Sequence, residues 1–327
     1  MPIRDPVFAP PFNIVRASHV ELGVRDLARA RAFYVDCLGL LASDETADAL
    51  YLRGVEERNH HSLVLRLSRA AEAQALGFKL GSEADLDRAA FWFARANLPM
   101  SFPDLPHQGR TLRTADIFGT PLDLYAQMEQ SEFMLQKYAA HQGARIQRID
   151  HLNCFTPDVQ ASYDFYSALG FRLTEYTETD GDDAKLWAAW LQRKGNVHDL
   201  AFTNGLGPRL HHVGLWTAGI LDIIHICDVM ATCGHLANME RGPGRHGISD
   251  AFFLYVRDPD GHRVELFTSD YLTVDPDHAP IRWSLTDPRR QTLWGHPAPE
   301  SWFREGSQFS GVAPREPALA AQPVVAM

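Results

Sequence analysis

The sequence predicts an α+β protein: four βαβββ modules paired into two cupped-barrel domains, followed by an irregular C-terminal arm. Three observations lead there. The chain repeats itself at a fixed offset, each copy passes from strand-like to helix-like spacing, and the repeat stops near Asp275.

The first copy reads Ser18-His19-Val20-Glu21-Leu22, then Asp26, Phe33-Tyr34 and Leu38-Gly39-Leu40. The second reads Asp150-His151-Leu152-Asn153-Cys154, then Asp158, Phe165-Tyr166 and Leu169-Gly170-Phe171. Its His, Asp and Phe-Tyr pair each lie 132 residues further on (151 − 19). In both copies an apolar strand starts at the histidine, a turn carries Asp, and helical spacing ends at Leu-Gly, where glycine can take the left-handed conformation that stops a helix. Weaker copies start at Gly77-Phe78-Lys79-Leu80, with a helix expected over 85–96, and at His212-Val213-Gly214-Leu215, with a helix near 221–233. Each half closes on a tight turn and a strand, Phe118-Gly119-Thr120-Pro121 before Asp123 and Asp258-Pro259-Asp260-Gly261 before Glu265.

This reading divides the chain into an N-terminal domain, 1–140, a C-terminal domain, 141–274, and an arm, 275–327. Proline, tryptophan and arginine dominate the arm (Pro276, Trp283, Arg290, Trp294, Trp302), and the Ala- and Pro-rich stretch from Ser310 is expected to be poorly ordered.

The charge balance, 31 Lys and Arg against 41 Asp and Glu for a net −10, with no basic run, argues against a nucleic-acid partner. Cys37, Cys154, Cys227 and Cys233 form no C-x-x-C pair, so neither a disulfide framework nor a zinc–thiolate site is expected. The N-terminus has no apolar signal core, and no run of 18 or more apolar residues occurs. We therefore expect a cytoplasmic protein without membrane spans, acting on small molecules.

Three residues occupy strand positions that the repeat makes comparable: His151 opens the third module, His212 the fourth, and Glu265 lies on its last strand. Two imidazoles and a carboxylate facing one centre are the facial set for non-haem Fe(II), with positions left open for substrate and O2, and the same set accommodates Mn(II). A lone strand histidine is more often structural, so the weight rests on placement in the repeat. Side chains alternate along a strand, so only one of His211 and His212 should point inward, and the repeat register favours His212. In the first half His19 and Asp123 match His151 and Glu265, but Gly77 aligns with His212, so no metal is expected there.

These residues resemble the type I extradiol dioxygenases of the vicinal oxygen chelate superfamily, and among them the 3,4-dihydroxyphenylacetate (homoprotocatechuate) 2,3-dioxygenases. The likeness runs from about Asn13 to Phe303 and is most specific at Asp150-His151-Leu152-Asn153, Val197-His198-Asp199, Pro208-Arg209-Leu210-His211-His212 and Glu240 to His246. It continues from Phe253 to Glu265. The resemblance implies O2-dependent ring opening of a catechol at Fe(II), with His198 as acid/base and Tyr255 as a hydrogen-bond donor beside the substrate. It implies Asn153, Trp190 and Ile248 as pocket residues, and Arg241, His246 and Arg290 as the group that recognises a substrate carboxylate. It also implies a homotetramer. Two alternatives stay open: a catechol or alkylcatechol 2,3-dioxygenase, and a glyoxalase-like metal enzyme of the same fold.

Overall fold

In the computed structural model, which describes residues 3–320, each half of the chain builds one sheet. The first half supplies β1 (Ile14–Val24), β2 (Leu41–Glu45), β3 (Ala49–Arg53), β4 (Leu63–Leu67), β5 (Ala73–Leu80), β6 (Thr111–Ala115) and β7 (Pro121–Tyr125), ordered β2-β3-β4-β1-β5-β7-β6. The second supplies β8 (Ile146–Thr156), β9 (Arg172–Glu178), β10 (Leu186–Gln192), β11 (Leu200–Asn204), β12 (Arg209–Thr217), β13 (Met239–Arg245), β14 (Phe252–Arg257) and β15 (Arg263–Thr268). Their order, β13-β14-β15-β12-β8-β11-β10-β9, repeats the first sheet with one more strand at an edge. From the arm, β16 (Ile281–Ser284) joins β9, and β17 (Ser307–Gln308) pairs with β12. In each half the first strands of two modules lie antiparallel at the centre, β1 on β5 and β8 on β12. The predicted fold class is borne out.

The residues that betray the repeat have structural work to do. Asp26 caps α1 (Leu27–Arg31) by accepting from the Arg29 N–H, and Asp158 caps α3 (Val159–Ala168) by accepting from Ala161. Between the Phe-Tyr pair and Leu-Gly the offset shrinks from 132 to 131 (169 − 38), so the first copy holds one extra residue. It is absorbed as a π-helical turn over Ala32–Cys37, whereas α3 is regular. The two tyrosines bind across the halves. Tyr34 donates to Asp258 at 3.1 Å and Tyr166 to Asp116 at 3.3 Å, and each aspartate also accepts backbone N–H groups of its own closing turn. Module one thus docks on module four, and module two on module three. A single apolar core, with Phe33, Phe93, Phe171 and Leu266 among its members, runs through both halves.

Four expectations need correction. The helices of modules two and four are α2 (Glu83–Arg95) and α4 (Ile220–Thr232), each shifted by one or two residues. Among the described residues module two is one strand short, with only an isolated bridge from Ser101 to Arg113 where β13 stands in module four. Gly77 does not match His212: it pairs with His19 and Asp123 as Gly214 pairs with His151 and Glu265, which leaves Ala75 at the His212 position. Residues 310–320 are not loose. Arg315 pairs with Gly207, the Ala318 N–H reaches Pro157 O at 2.7 Å, and Asn204 Nδ2 donates to Leu319 O at 2.9 Å. The rest of that stretch, 321–327, lies outside the described residues.

Candidate active site

Three neighbouring strands of the second sheet bring the proposed ligands together: His151 on β8, His212 on β12 and Glu265 on β15, all buried. Gly214 lies between the other two, paired with both His151 and Glu265. A Cβ there would stand 2.2 Å from the His151 ring, so only glycine lets that ring lie across β12. His151 Nε2 is 2.8 Å from Glu265 Oε2 and 3.2 Å from His212 Nε2, and His212 Nε2 is 3.2 Å from the same oxygen.

The outer nitrogens fix which ring atoms are free. His151 Nδ1 faces Asp150 Oδ2 at 3.3 Å, and His212 Nδ1 faces His211 Nδ1 at 2.6 Å. His211 in turn faces the backbone oxygen of Trp302 through Nε2 at 2.9 Å. One tautomer set satisfies all of this: Nδ1–H on both inner histidines and Nε2–H on His211, which leaves both inner Nε2 lone pairs pointing at Glu265. The alternation argument that set His212 against His211 fails locally. A register break between Leu210 and His212 turns both rings to the cavity, but only His212 reaches Glu265.

Burial opposes charge on His151, yet its bonds to Asp150 and Glu265 push it up to about 9, while burial lowers His212 to about 4. Burial also works against ionised Glu265, but bonds to His151, His212 and His246 hold it well below the ordinary carboxylate range. A carboxylate gripped by three imidazoles needs a cation at its centre, either a proton on His151 or a metal ion. Two nitrogens and an oxygen of this kind fit a divalent first-row metal.

A cavity of about 460 Å³ opens on this cluster, and every residue singled out from the sequence lines it. His198 precedes β11, its ring 4.0 Å from that of His151 and its buried Nδ1 without a protein partner. Burial, followed by the neighbouring His151, holds it well below the usual histidine value, so the ring is neutral. Asn196 ties this loop down by donating from Nδ2 to His198 O at 2.8 Å and Asp150 Oδ2 at 2.9 Å. Tyr255, paired with Glu265 across β14 and β15, places its OH 2.9 Å from His246 Nε2. Asn153 Oδ1 is buried and unpartnered, and Trp190 and Ile248 belong to one apolar wall with Trp187 and Leu285.

At the far side lie Arg241 and Arg290, both buried. Arg241 is held between Phe253 and Trp302, 4.8 and 4.5 Å from their ring centres, and bonds Thr292 Oγ1 at 2.7 Å. Among the described residues its Nε and Nη1 have no hydrogen-bond partner, and neither does Arg290 Nη2. Among the described residues no carboxylate stands within ion-pair distance of either. Burial lowers both guanidinium groups to about 10. Trp302, His211, Asp150 and Asn196 were not singled out from the sequence as site residues. Their roles arise from tertiary contacts that local spacing does not report.

A family model for the Glyoxalase/Bleomycin resistance protein/Dioxygenase superfamily matches residues 16–114 and 148–266, one stretch in each half. The chain belongs to that superfamily, on its extradiol dioxygenase branch. A solved structure of homoprotocatechuate 2,3-dioxygenase from Brevibacterium fuscum, in complex with 3,4-dihydroxyphenylacetate, superposes with a TM-score of 0.90 at 39% identity, covering 96% of this chain and 99% of that one. Two curated relatives are 28% identical. The manganese-dependent 2,3-dihydroxybiphenyl 1,2-dioxygenase of Geobacillus genomosp. 3 aligns over 87% of this chain and 95% of its own length. The metapyrocatechase of Geobacillus stearothermophilus aligns over 91% and 95%.

Proposed function

We propose that this chain opens the ring of a carboxylate-bearing catechol with O2, most closely as a 3,4-dihydroxyphenylacetate 2,3-dioxygenase, with Fe(II) held by His151, His212 and Glu265. One observation carries the substrate: two buried arginines that have no carboxylate partner among the described residues share a cavity with a His/His/Glu cluster. An uncompensated buried guanidinium is costly, so its open N–H donors call for an anion. The forked geometry of arginine suits a carboxylate.

A metal ion held by His151, His212 and Glu265 would bring catechol and O2 together and let electrons pass between them. The protein's own groups do the rest. Neutral His198 takes a proton from the catechol and returns it as the ring opens. The Tyr255 hydroxyl, whose proton rests on His246 Nε2 at 2.9 Å, turns it to oxygen as charge develops there. Asn153, Trp190 and Ile248 hold the ring plane, and Arg241 and Arg290 fix the carboxylate so that the ring presents one edge to the metal. Both atoms of O2 end in the muconic semialdehyde.

In this reading metal chemistry belongs to residues 141–274, 1–140 is a metal-free support, and the segment from 275 forms a lid through Trp302 and Leu319. It also carries a cytoplasmic homotetramer. Exposed Leu221, Ile224 and Leu236 around α4 are apolar surface that assembly would bury. Light scattering on the purified protein checks the tetramer.

The deciding experiment loads metal-free protein anaerobically with Fe(II) or Mn(II), then admits O2 with 3,4-dihydroxyphenylacetate or catechol. We expect O2 uptake and a yellow semialdehyde, faster with Fe(II) and with the carboxylated substrate. Equal turnover of catechol would replace the carboxylate reading by a catechol 2,3-dioxygenase. No product from either, with metal bound, would point to a non-oxygenase of the same fold.

A further inference from the structure

Where module one docks on module four, two cysteines meet that no catalytic argument uses. Cys37 Sγ and Cys233 Sγ lie 3.1 Å apart although 196 residues separate them in sequence. Cys37 is buried and Cys233 exposed. Around them the contact is well built: Arg25 pairs with Asp260 at 2.8 Å, Tyr34 with Asp258 at 3.1 Å, and the Phe33 and His235 rings pack edge-on at 5.2 Å.

The placement has an identifiable cause. Cys37 closes the π-helical turn made by the extra residue of the first copy, and Cys233 caps the C-terminus of α4 just before Gly234, whose φ is +88°. At the pseudo-symmetric contact between modules two and three α3 is regular, and Ala96 caps α2 before Asn97, whose φ is +54°, so no cysteine stands at that helix end. The other two cysteines behave differently. Cys154 is buried alone, and Cys227 points its Sγ at Ile223 O, 3.2 Å away.

We propose that Cys37 and Cys233 are a modification site: a reversible disulfide, formed by exchange with a small-molecule disulfide, that staples module one to module four. A bond of about 2.05 Å requires the sulfurs to close by roughly 1 Å, within reach of side-chain rotation at an exposed helix end. In the first step the Cys233 thiolate attacks one sulfur of the reagent, breaking its S–S bond and expelling one thiolate. Cys37 Sγ then attacks Cys233 Sγ and expels the second. The protons of the two cysteines end on the two released thiols. Burial, with the Cys233 contact, pushes the Cys37 thiol up to about 12, and Cys233 is the exposed one of the two, so Cys233 meets the reagent first. Closing so long a loop restricts the unfolded chain and stabilises the oxidised form.

The test treats full-length, metal-loaded protein with oxidised glutathione, then counts thiols in denaturant and maps peptides. We expect the four thiols to fall to two (4 − 2), the intact mass to drop by two hydrogens with no adduct, and a peptide joining Cys37 to Cys233. The melting temperature should rise and return on adding dithiothreitol. Cys233→Ser, a change at an exposed position, should keep its remaining three thiols (4 − 1) and an unmoved melting temperature. Cys37→Ser should trap the glutathione adduct on Cys233. Four free thiols in the treated native protein, or a stable adduct on Cys233 with no joined peptide, would overturn the proposal.

Discussion

The two halves carry the same framework with different residues at the same positions. His19, Gly77 and Asp123 are paired strand to strand as His151, Gly214 and Glu265 are. In both, the glycine is where the histidine ring crosses the next strand, and a Cβ there would stand 2.1 Å from the ring in one half and 2.2 Å in the other. Even His198 has a counterpart, because Leu63 pairs with Val20 as Leu200 pairs with Leu152, which sets His61 opposite it. The difference lies in two substitutions. Ala75 stands at the His212 position, and Arg113 faces Asp123 where Tyr255 faces Glu265. Arg113 grips Asp123 with two bonds of 2.7 Å, so the first half neutralises its carboxylate internally. In the second half Tyr255 faces Glu265 instead, and the carboxylate meets His151 and His212. One framework thus yields a salt-bridged carboxylate or, in the function proposed above, one that a metal would occupy.

Rebuilding the first half's solution in the second should have the largest effect. His212→Ala copies Ala75 and removes a donor from the cluster. We expect loss of bound metal and a fall in turnover beyond the roughly 10–100-fold that loss of an outer partner costs, with folding retained. Metal analysis beside circular dichroism checks it, and full metal content in the variant would remove His212 from the ligand set. Next in size is a matched pair. His198→Asn should slow turnover by roughly 10²–10⁴-fold at unchanged metal content, whereas His61→Asn should leave turnover as it was. If both variants slow equally, the two halves are not separated in the way argued above.

That comparison also shows what the sequence could report. The clustering of His151, His212 and Glu265 was legible because they sit on strands whose register the repeat preserves. The register slipped by two residues at Gly77, where the repeat is weak, and the unbroken pairing of His19 with Gly77, Val20 with Leu76 and Glu21 with Ala75 reveals Ala75. A bulge brings His211 to the cavity against simple alternation. Trp302, Glu316, Pro317 and Leu319 reach the site from a segment with no repeat, so composition marked them as arm or loose tail. The docking of Tyr34 on Asp258 and of Cys37 on Cys233 joins positions about 200 residues apart, which no local pattern encodes.

The arm gives the second half something the first lacks, and pH should expose it. Arg263 and Arg257, paired on β15 and β14, hold Glu240, which also accepts from Ser301 of α5 (Glu300–Arg304), next to Trp302. At the matching positions the first half has Pro121 and Ala115. Burial opposes ionisation of Glu240, yet the bonds from Arg263 and Arg257 hold its carboxyl at about 2, below the ordinary 4.5. The folded value is depressed, so the stabilisation is fully present above pH 4.5 and is lost as pH falls towards 2. Its size is on the order of 3 kcal/mol. Urea melts of the native chain and Glu240→Gln should differ most near neutrality, and the gap should close only as pH falls through about 2. A gap independent of pH would mean that Glu240 acts by packing alone.

The smallest expected effect is also the most specific. Arg241 faces Tyr255 across the strands where Ser101 faces Arg113, so the first half has no counterpart to the carboxylate grip. Removing one charged hydrogen-bonding group costs about 2 kcal/mol in binding an anion, or about 30-fold in kcat/KM. Arg290→Gln should therefore lose about that much on 3,4-dihydroxyphenylacetate and little on catechol, which has no carboxylate to hold. Arg241→Lys keeps the charge but loses the fork and the stack between Phe253 and Trp302, so its loss on the carboxylated substrate should be similar. The informative quantity is the ratio of kcat/KM for the two substrates, because a general loosening of the pocket lowers both values together. A collapsed ratio assigns the buried charges to the substrate's carboxylate. A ratio that holds while both rates fall means that Arg241 and Arg290 brace the arm against the cavity, and the anion they await is not on the substrate.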